Sequence, residues 1–372
     1  MKIREFALER FFARHEFAAR HVLGASDVEG MKMSEVLALA DDDSRHLWET
    51  LKLGYTESTG LPALRSEIAS MYDGLASEDV LTFAGAEEAI FLTMHAALTA
   101  GDHVVAISPA YQSLHEVARS IGVDVTPLAL DPRDWSLDLG RLAGSMRPTT
   151  RMVVINFPHN PTGAHITRAE LDEIIRICRS HGALLFSDEV NRFLERDPSD
   201  LLPPASTLYE NAISLGVMSK SFALAGLRIG WIATRDRALL ARVAALKDYT
   251  TICSSGPSEI LALMALRARG RVLARSRGIV QRNLPALEAF MRRHSRHLSW
   301  VPPRAGSVCF PRFIADIDAE TVAETLIQRT GVVILPGGRF DFHRAHFRLG
   351  FGREDMAAAL ELVDPLIAEV TR

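Results

Sequence analysis

A chain of 372 residues, 48% hydrophobic and 24% charged, has ordinary globular composition and is long enough for two domains that share a cleft. Its net charge of −4 gives no electrostatic footprint for nucleic acid or an anionic membrane surface. No apolar run approaches bilayer length, and Cys178, Cys253 and Cys309 match neither a disulfide framework nor a metal-ligand spacing, so a cytoplasmic setting is expected.

The first twenty residues interleave Phe6, Phe11, Phe12 and Phe17 with Arg4, Arg10, Arg14 and Arg20. A transit peptide would be poor in acid, whereas Glu5, Glu9 and Glu16 intervene. The pattern predicts an amphipathic helix packed on the body of the protein or on a partner subunit. Ser26 to Met31 follows, with Asp27 and Glu29 either offered to a cationic substrate side chain or idle in a solvated loop.

Between about residue 80 and residue 235, short apolar runs alternate with helical patterns. The runs are Val80–Phe83, Val104–Ile107, Met152–Asn156, Ala183–Phe186 and Ile213–Val217, apolar throughout, as in strands covered on both faces. One helix is sharply bounded: Thr167 and Glu170 form a capping box, Leu171, Ile174, Ile175 and Cys178 a stripe, and Gly182 a stop. Beyond about residue 260 the pattern turns to long helices with one β-rich segment, Gly331–Leu335. Alternating strand and helix predicts an α/β fold with a mainly parallel sheet, whose ligands bind beyond the carboxyl ends of the strands.

Gly85, Tyr111, Asn160, Asp188 and Lys220 all fall at such strand ends. Gly85-Ala86-Glu87 opens a helix whose first N–H groups suit a phosphate, although alone it is an ordinary tight turn. Tyr111 puts an aromatic ring at the cleft mouth, and Asn160 lies in the fixed loop Asn160-Pro161-Thr162-Gly163. Asp188 ends a buried strand, where a carboxylate requires a partner. Lys220 in Ser219-Lys220-Ser221 precedes Arg228 by eight residues, and Arg348 lies in Phe347-Arg348-Leu349-Gly350. Pyridoxal 5′-phosphate needs a lysine for its Schiff base, a carboxylate for its ring nitrogen and donors for its phosphate. Taken singly, each of these residues has a structural reading; their joint order does not.

From Leu53-Gly54-Tyr55-Thr56 to about residue 352 the chain resembles the class I/II aminotransferase family of fold-type I pyridoxal phosphate enzymes. The resemblance implies a three-layer large domain with a mainly parallel mixed sheet at 41–260. Residues 1–40 and 261–372 would supply an N-terminal arm and a smaller α+β domain. It implies that Gly85, Ala86 and Glu87 line the phosphate, that Tyr111 stacks on the ring, and that Asn160 contacts the ring hydroxyl. Asp188 would hold the ring nitrogen, Lys220 form the aldimine and move the α-proton, Arg228 bind phosphate and Arg348 bind the substrate carboxylate. Ser219 and Asn191 join the cofactor set, and Gly30 joins Asn160 in the substrate set. Tyr55 resembles a tyrosine that reaches the neighbouring subunit's phosphate, which implies a homodimer with shared active sites. The implied reaction moves an amino group between an L-amino acid and a 2-oxo acid.

Phe157-Pro158-His159-Asn160, Lys247–Thr251, Ala305–Val308 and Pro311-Arg312-Phe313 are similar to a subgroup that includes capreomycidine synthase. For it, a lyase or cyclase acting on a basic or hydroxylated amino acid is the alternative. Two positions depart from the family pattern. Asn191 stands where a tyrosine usually donates to the ring hydroxyl. Val217 replaces a serine or threonine that binds phosphate, a loss of about 1 kcal/mol of net hydrogen bonding.

Overall fold

The computed structural model describes residues 2–371. Seven strands form one sheet: β1 Val80–Phe83, β2 His103–Ser108, β3 Asp124–Ala129, β4 Thr150–Asn156, β5 Leu184–Asp188, β6 Ala212–Val217 and β7 Gly230–Ala233. Their order is β1-β7-β6-β5-β4-β2-β3. All neighbours from β3 to β6 pair parallel, and β7 runs antiparallel to both β1 and β6. The five apolar runs read from sequence are thus strands, almost wholly buried, because helices cover both faces of the sheet. The architecture is α/β, as expected.

Two strands carry no such signal. The edge strand β3 is mostly solvent-facing and includes Pro127, which an edge tolerates because one side of its ladder is unpaired. The other is β7, only four residues long. Helix Arg168–His181 has the expected capping box at Thr167 and Glu170 and ends at Gly182 in the left-handed conformation.

Later in the chain are short strands: β8 Leu298–Ser299, β9 Val308–Cys309, β10 Arg312–Phe313, β11 Leu335–Pro336 and β12 Phe347–Gly350. They make a two-stranded β10-β8 sheet and a three-stranded β11-β12-β9 sheet. The segment Gly331–Leu335 contributes little to that ladder. Val332 bridges His21, Val333 N–H donates to His21 C=O, and Gly24 N–H donates to Val333 C=O. Its partner is the N-terminal arm, over three hundred residues away in sequence.

The arm itself begins with α1, Ala7–His15, whose Leu8, Phe11 and Phe12 are buried while Phe17 is exposed. Residues 21–27 then run beside β12, where Gly350 N–H donates to Leu23 C=O. A Cβ on Gly350 would lie 1.8 Å from the Ala25 carbonyl oxygen, so only glycine allows this approach. The arm is thereby laid across the carboxyl ends of the parallel strands.

Candidate active site

A cavity of about 600 Å³ opens beyond the ends of β2, β4, β5 and β6. Its floor starts at Gly85, which has φ +90° and ψ 178° and caps helix Ala86–Ala97. The first N–H groups of a helix lack intrahelical partners and carry the positive end of its dipole. Arg228 comes in from the segment before β7, itself left-handed at φ 55°, with Nη1 donating to Ala225 C=O at 3.0 Å. A Cβ at position 85 would lie 2.4 Å from Arg228 Nη2, so the glycine makes room for the guanidinium. Bare N–H groups and an arginine in contact form an anion cradle.

Parallel register sets the next group. Asn156 and Asp188 are paired neighbours at the ends of β4 and β5. Asn156 donates through Nδ2 to Asp188 C=O and accepts through Oδ1 from Asn160 N–H, fixing the Asn160 loop to the strand that carries Asp188. The Asp188 carboxyl accepts one hydrogen bond, from Val190 N–H at 3.1 Å. Burial pushes it up to about 7, against the opposing pull of that bond and of Lys220. Lys220 Nζ donates to Ser26 Oγ at 2.8 Å. Burial lowers its proton affinity, an effect offset by the charge of Asp27. Ser219 and Val217 line the same wall.

Arg348, on β12, is 1% exposed. Its Nε and Nη2 donate to Gly24 C=O at 3.0 and 2.8 Å, and Nη1 donates to Asn160 Oδ1 at 2.9 Å. Three of five guanidinium protons are thus used, leaving one on each terminal nitrogen for a carboxylate. Arginine has no acceptor, so it also orients the Asn160 amide with its NH₂ free to donate. Burial pushes Arg348 down to about 10, so it remains a cation at neutral pH.

The arm roofs the cavity. Phe6 packs on the Tyr111 ring with centroids 4.9 Å apart, and Tyr111 Oη donates to Glu9 Oε1 at 2.6 Å. Glu9, Arg10, Glu16, Ser26 and Asp27 all reach the lining. Asp27 is held by Arg353 Nη2 at 2.9 and 3.1 Å. The amphipathic pattern revealed α1, but no local signal marked Glu9, Glu16 and Ser26 as cavity residues.

Gly85, Ala86, Glu87, Tyr111, Asn160, Asp188, Ser219, Lys220, Arg228 and Arg348 therefore converge, with Gly85 as the floor's turn and the other nine lining the cavity. Gly30 and Asn191 do not, and Tyr55, expected at a neighbouring subunit's phosphate, lies away from this cavity. Gly30 is exposed and outside the lining, because the arm turns away after Asp27. Asn191 directs its amide to Pro158 C=O at 3.2 Å and braces that loop from behind. Tyr55 is 89% exposed and away from the cavity. Glu29 pairs with Arg353 outside it, and Arg192 donates to Leu202 C=O.

These residues fit pyridoxal phosphate: the cradle suits its phosphate, buried Asp188 has no ion pair among the described residues and would find one in the ring nitrogen, and Lys220 is an amine of lowered basicity. A buried lysine at a strand end of a mainly parallel α/β sheet, beside an anion cradle, fits the class of pyridoxal phosphate-dependent enzymes. The model of the family "Aminotransferase class I and II" matches residues 22–363, and the chain belongs to that family of pyridoxal phosphate-dependent enzymes. Capreomycidine synthase of Streptomyces vinaceus is 30% identical, covering 79% of this chain and 75% of that protein. A PLP-dependent aminotransferase from Streptococcus suis superposes with a TM-score of 0.93 at 29% identity over all of both chains. The PLP-dependent cyclase OrfR does so with a TM-score of 0.91 at 28% identity, covering 99% of this chain and 98% of that one.

Proposed function

We propose that the cavity holds pyridoxal phosphate on Lys220 and moves an amino group between an L-amino acid and a 2-oxo acid. The convergence of Lys220, Asp188 and Arg348 from three separate elements on one cavity carries this reading. The bound cofactor supplies an electron sink for the substrate's α-carbon. Around it, the N–H groups of Ala86 and Glu87 and the Arg228 guanidinium hold the phosphate. Asp188 holds a proton on the ring nitrogen, and the free Asn160 NH₂ donates to the ring hydroxyl. Arg348 takes the α-carboxylate through its two remaining N–H groups. Lys220 Nζ, made less basic by burial, would be the group that accepts the α-proton of the bound amino acid. Helix α1 and Tyr111 keep water from the reacting carbon.

The division into a large domain at 41–260 and a smaller one from 1–40 and 261–372 belongs to the same proposal, with the cavity between them. So does a homodimer. Leu53, Tyr55, Tyr249 and Ile252 form an exposed apolar group on two loops joined by the Thr56 Oγ1 bond to Ser254 C=O. A second copy would cover it and receive Tyr55 at its own cradle. Among the described residues no helix is long and apolar enough to cross a membrane; a cytoplasmic setting is part of the same proposal.

A second reading is elimination or cyclisation on a basic amino acid. Capreomycidine synthase and OrfR, both similar over most of the chain, favour it. So does the acidic roof of Glu9, Glu16 and Asp27, in which the Glu16 carboxyl has no hydrogen bond or ion pair among the described residues and is raised by burial and by Asp27. A guanidinium or ammonium side chain would neutralise it.

One experiment separates the two. Cofactor-loaded protein is mixed with single amino acids, including arginine and its hydroxylated forms, with no 2-oxo acid present. Stoichiometric conversion to pyridoxamine phosphate establishes transfer; repeated turnover with the cofactor unchanged establishes elimination or cyclisation. Inertness toward every amino acid would overturn both.

A further inference from the structure

Three successive residues after β2 tie the arm to the cradle. Tyr111 Oη donates to Glu9 on α1. Gln112 Oε1 accepts from Ala7 N–H at 3.0 Å, and its Nε2 donates to Glu5 C=O at 2.9 Å. Ser113 Oγ donates to Glu87 Oε1 at 3.1 Å, in the first turn of the cradle helix.

The middle residue answers a question that α1 raises. The helix begins at Ala7, and its N-cap, Phe6, has no side-chain oxygen for the first-turn N–H groups. Gln112, 4% exposed, brings that acceptor from a hundred residues away and holds the preceding carbonyl as well. Leu8, Phe11 and Phe12 bury apolar surface, which drives docking without fixing register. A second polar anchor, Arg4 with Asp341, lies outside the cavity. Among the described residues, Gln112 is the side chain that accepts from the first turn of α1, next to the ring of Tyr111.

We propose that Gln112 is a positioning residue that caps α1 across the cavity mouth, setting Phe6 on Tyr111 and bringing Glu9 to face Lys220. The charged groups acting on Lys220 come from several elements. Asp27 and Glu9 of the arm and Asp188 of β5 favour its cation, while Arg348 of β12 and burial oppose it. Releasing α1 removes Glu9 from that set, so the cation on Lys220 becomes easier to deprotonate.

The test uses Gln112→Met, which keeps the volume and deletes both hydrogen bonds, beside Glu9→Gln, which removes charge without uncapping the helix. Amide hydrogen exchange is measured in α1, with helix Arg168–His181 as internal reference. Two ordinary hydrogen bonds correspond to exchange about thirtyfold faster in α1 of Q112M, with the reference helix unchanged. The second readout is the pH midpoint of the visible band of cofactor-loaded protein. It should fall in both variants, while α1 exchange rises only in Q112M. Unchanged α1 exchange in Q112M overturns the proposal. Faster exchange with an unmoved midpoint reduces Gln112 to a structural anchor and overturns the positioning role. The midpoint rests on the cofactor reading above, whereas the exchange does not. Protein that takes up no cofactor would sink that reading and leave exchange to decide on Gln112.

Discussion

Gly85→Ala tests the cradle with a single methyl group. The backbone at 85, φ +90° and ψ 178°, lies in a region open essentially to glycine, so alanine there costs about 1–3 kcal/mol. The methyl would also sit 2.4 Å from Arg228 Nη2, well inside van der Waals contact. Arg228 has little freedom to retreat, being left-handed itself and tied through Nη1 to Ala225 C=O. Its guanidinium must leave the cradle, removing a charge-assisted hydrogen bond to phosphate worth about 1.5–3 kcal/mol. Cofactor affinity should therefore fall about 10- to 150-fold, the factor equivalent to that energy. Equilibrium dialysis of pyridoxal phosphate against the variant reads the loss directly, with Arg228→Ala as the reference for complete loss of the guanidinium. Thermal unfolding of the cofactor-free variant reads the backbone cost separately. If G85A binds cofactor within twofold of the parent while R228A binds far more weakly, the argued contact between them is wrong.

Two further outcomes follow from the same geometry. The Asp188 carboxyl has its folded pKa raised from 3.8 to about 7, so its ionisation opposes folding, increasingly from about pH 4 and fully above about pH 7. Asp188→Asn should stabilise the cofactor-free protein by about 2–3 kcal/mol more at pH 8 than at pH 5, read by denaturant midpoints; an equal gain at both would refute it. Arg348→Lys keeps one charge but not the fork that holds Gly24 C=O, Asn160 Oδ1 and a carboxylate together. Half-saturation by α-amino acids should rise about 30- to 100-fold, with no such change for amines lacking a carboxylate; equal effects on both would refute the assigned role.

What the sequence made legible was local. Strands buried on both faces read as unbroken apolar runs, and Thr167, Glu170 and Gly182 marked their helix because capping is settled within four residues. Strand ends placed Asn160, Asp188 and Lys220 on one side of the sheet. What stayed illegible was pairing between distant segments and the direction of individual side chains. Asn191 belongs to the segment just after Asp188, yet its amide faces Pro158, which no spacing rule foretells. The same holds for Val333 with His21, for Asp27 with Arg353, and for Gln112 with α1.

Those distant pairings bear on chemistry more than on fold. The floor of the cavity brings Lys220, Arg228 and Arg348 together, an arrangement suited to phosphate and carboxylate in any enzyme of this family. The roof of Glu9, Glu16 and Asp27 comes from a segment outside the sheet and is held by Gln112, Gly350 and Arg353. Floor and roof meet at Gly24 C=O, held by Arg348, and at Ser26, held by Lys220; changes elsewhere in the arm should therefore alter which side chain the cavity accepts while the groups on the floor stay in place. Selectivity among amino acids should accordingly track residues 5–27, and reaction class should track the groups on the strand ends.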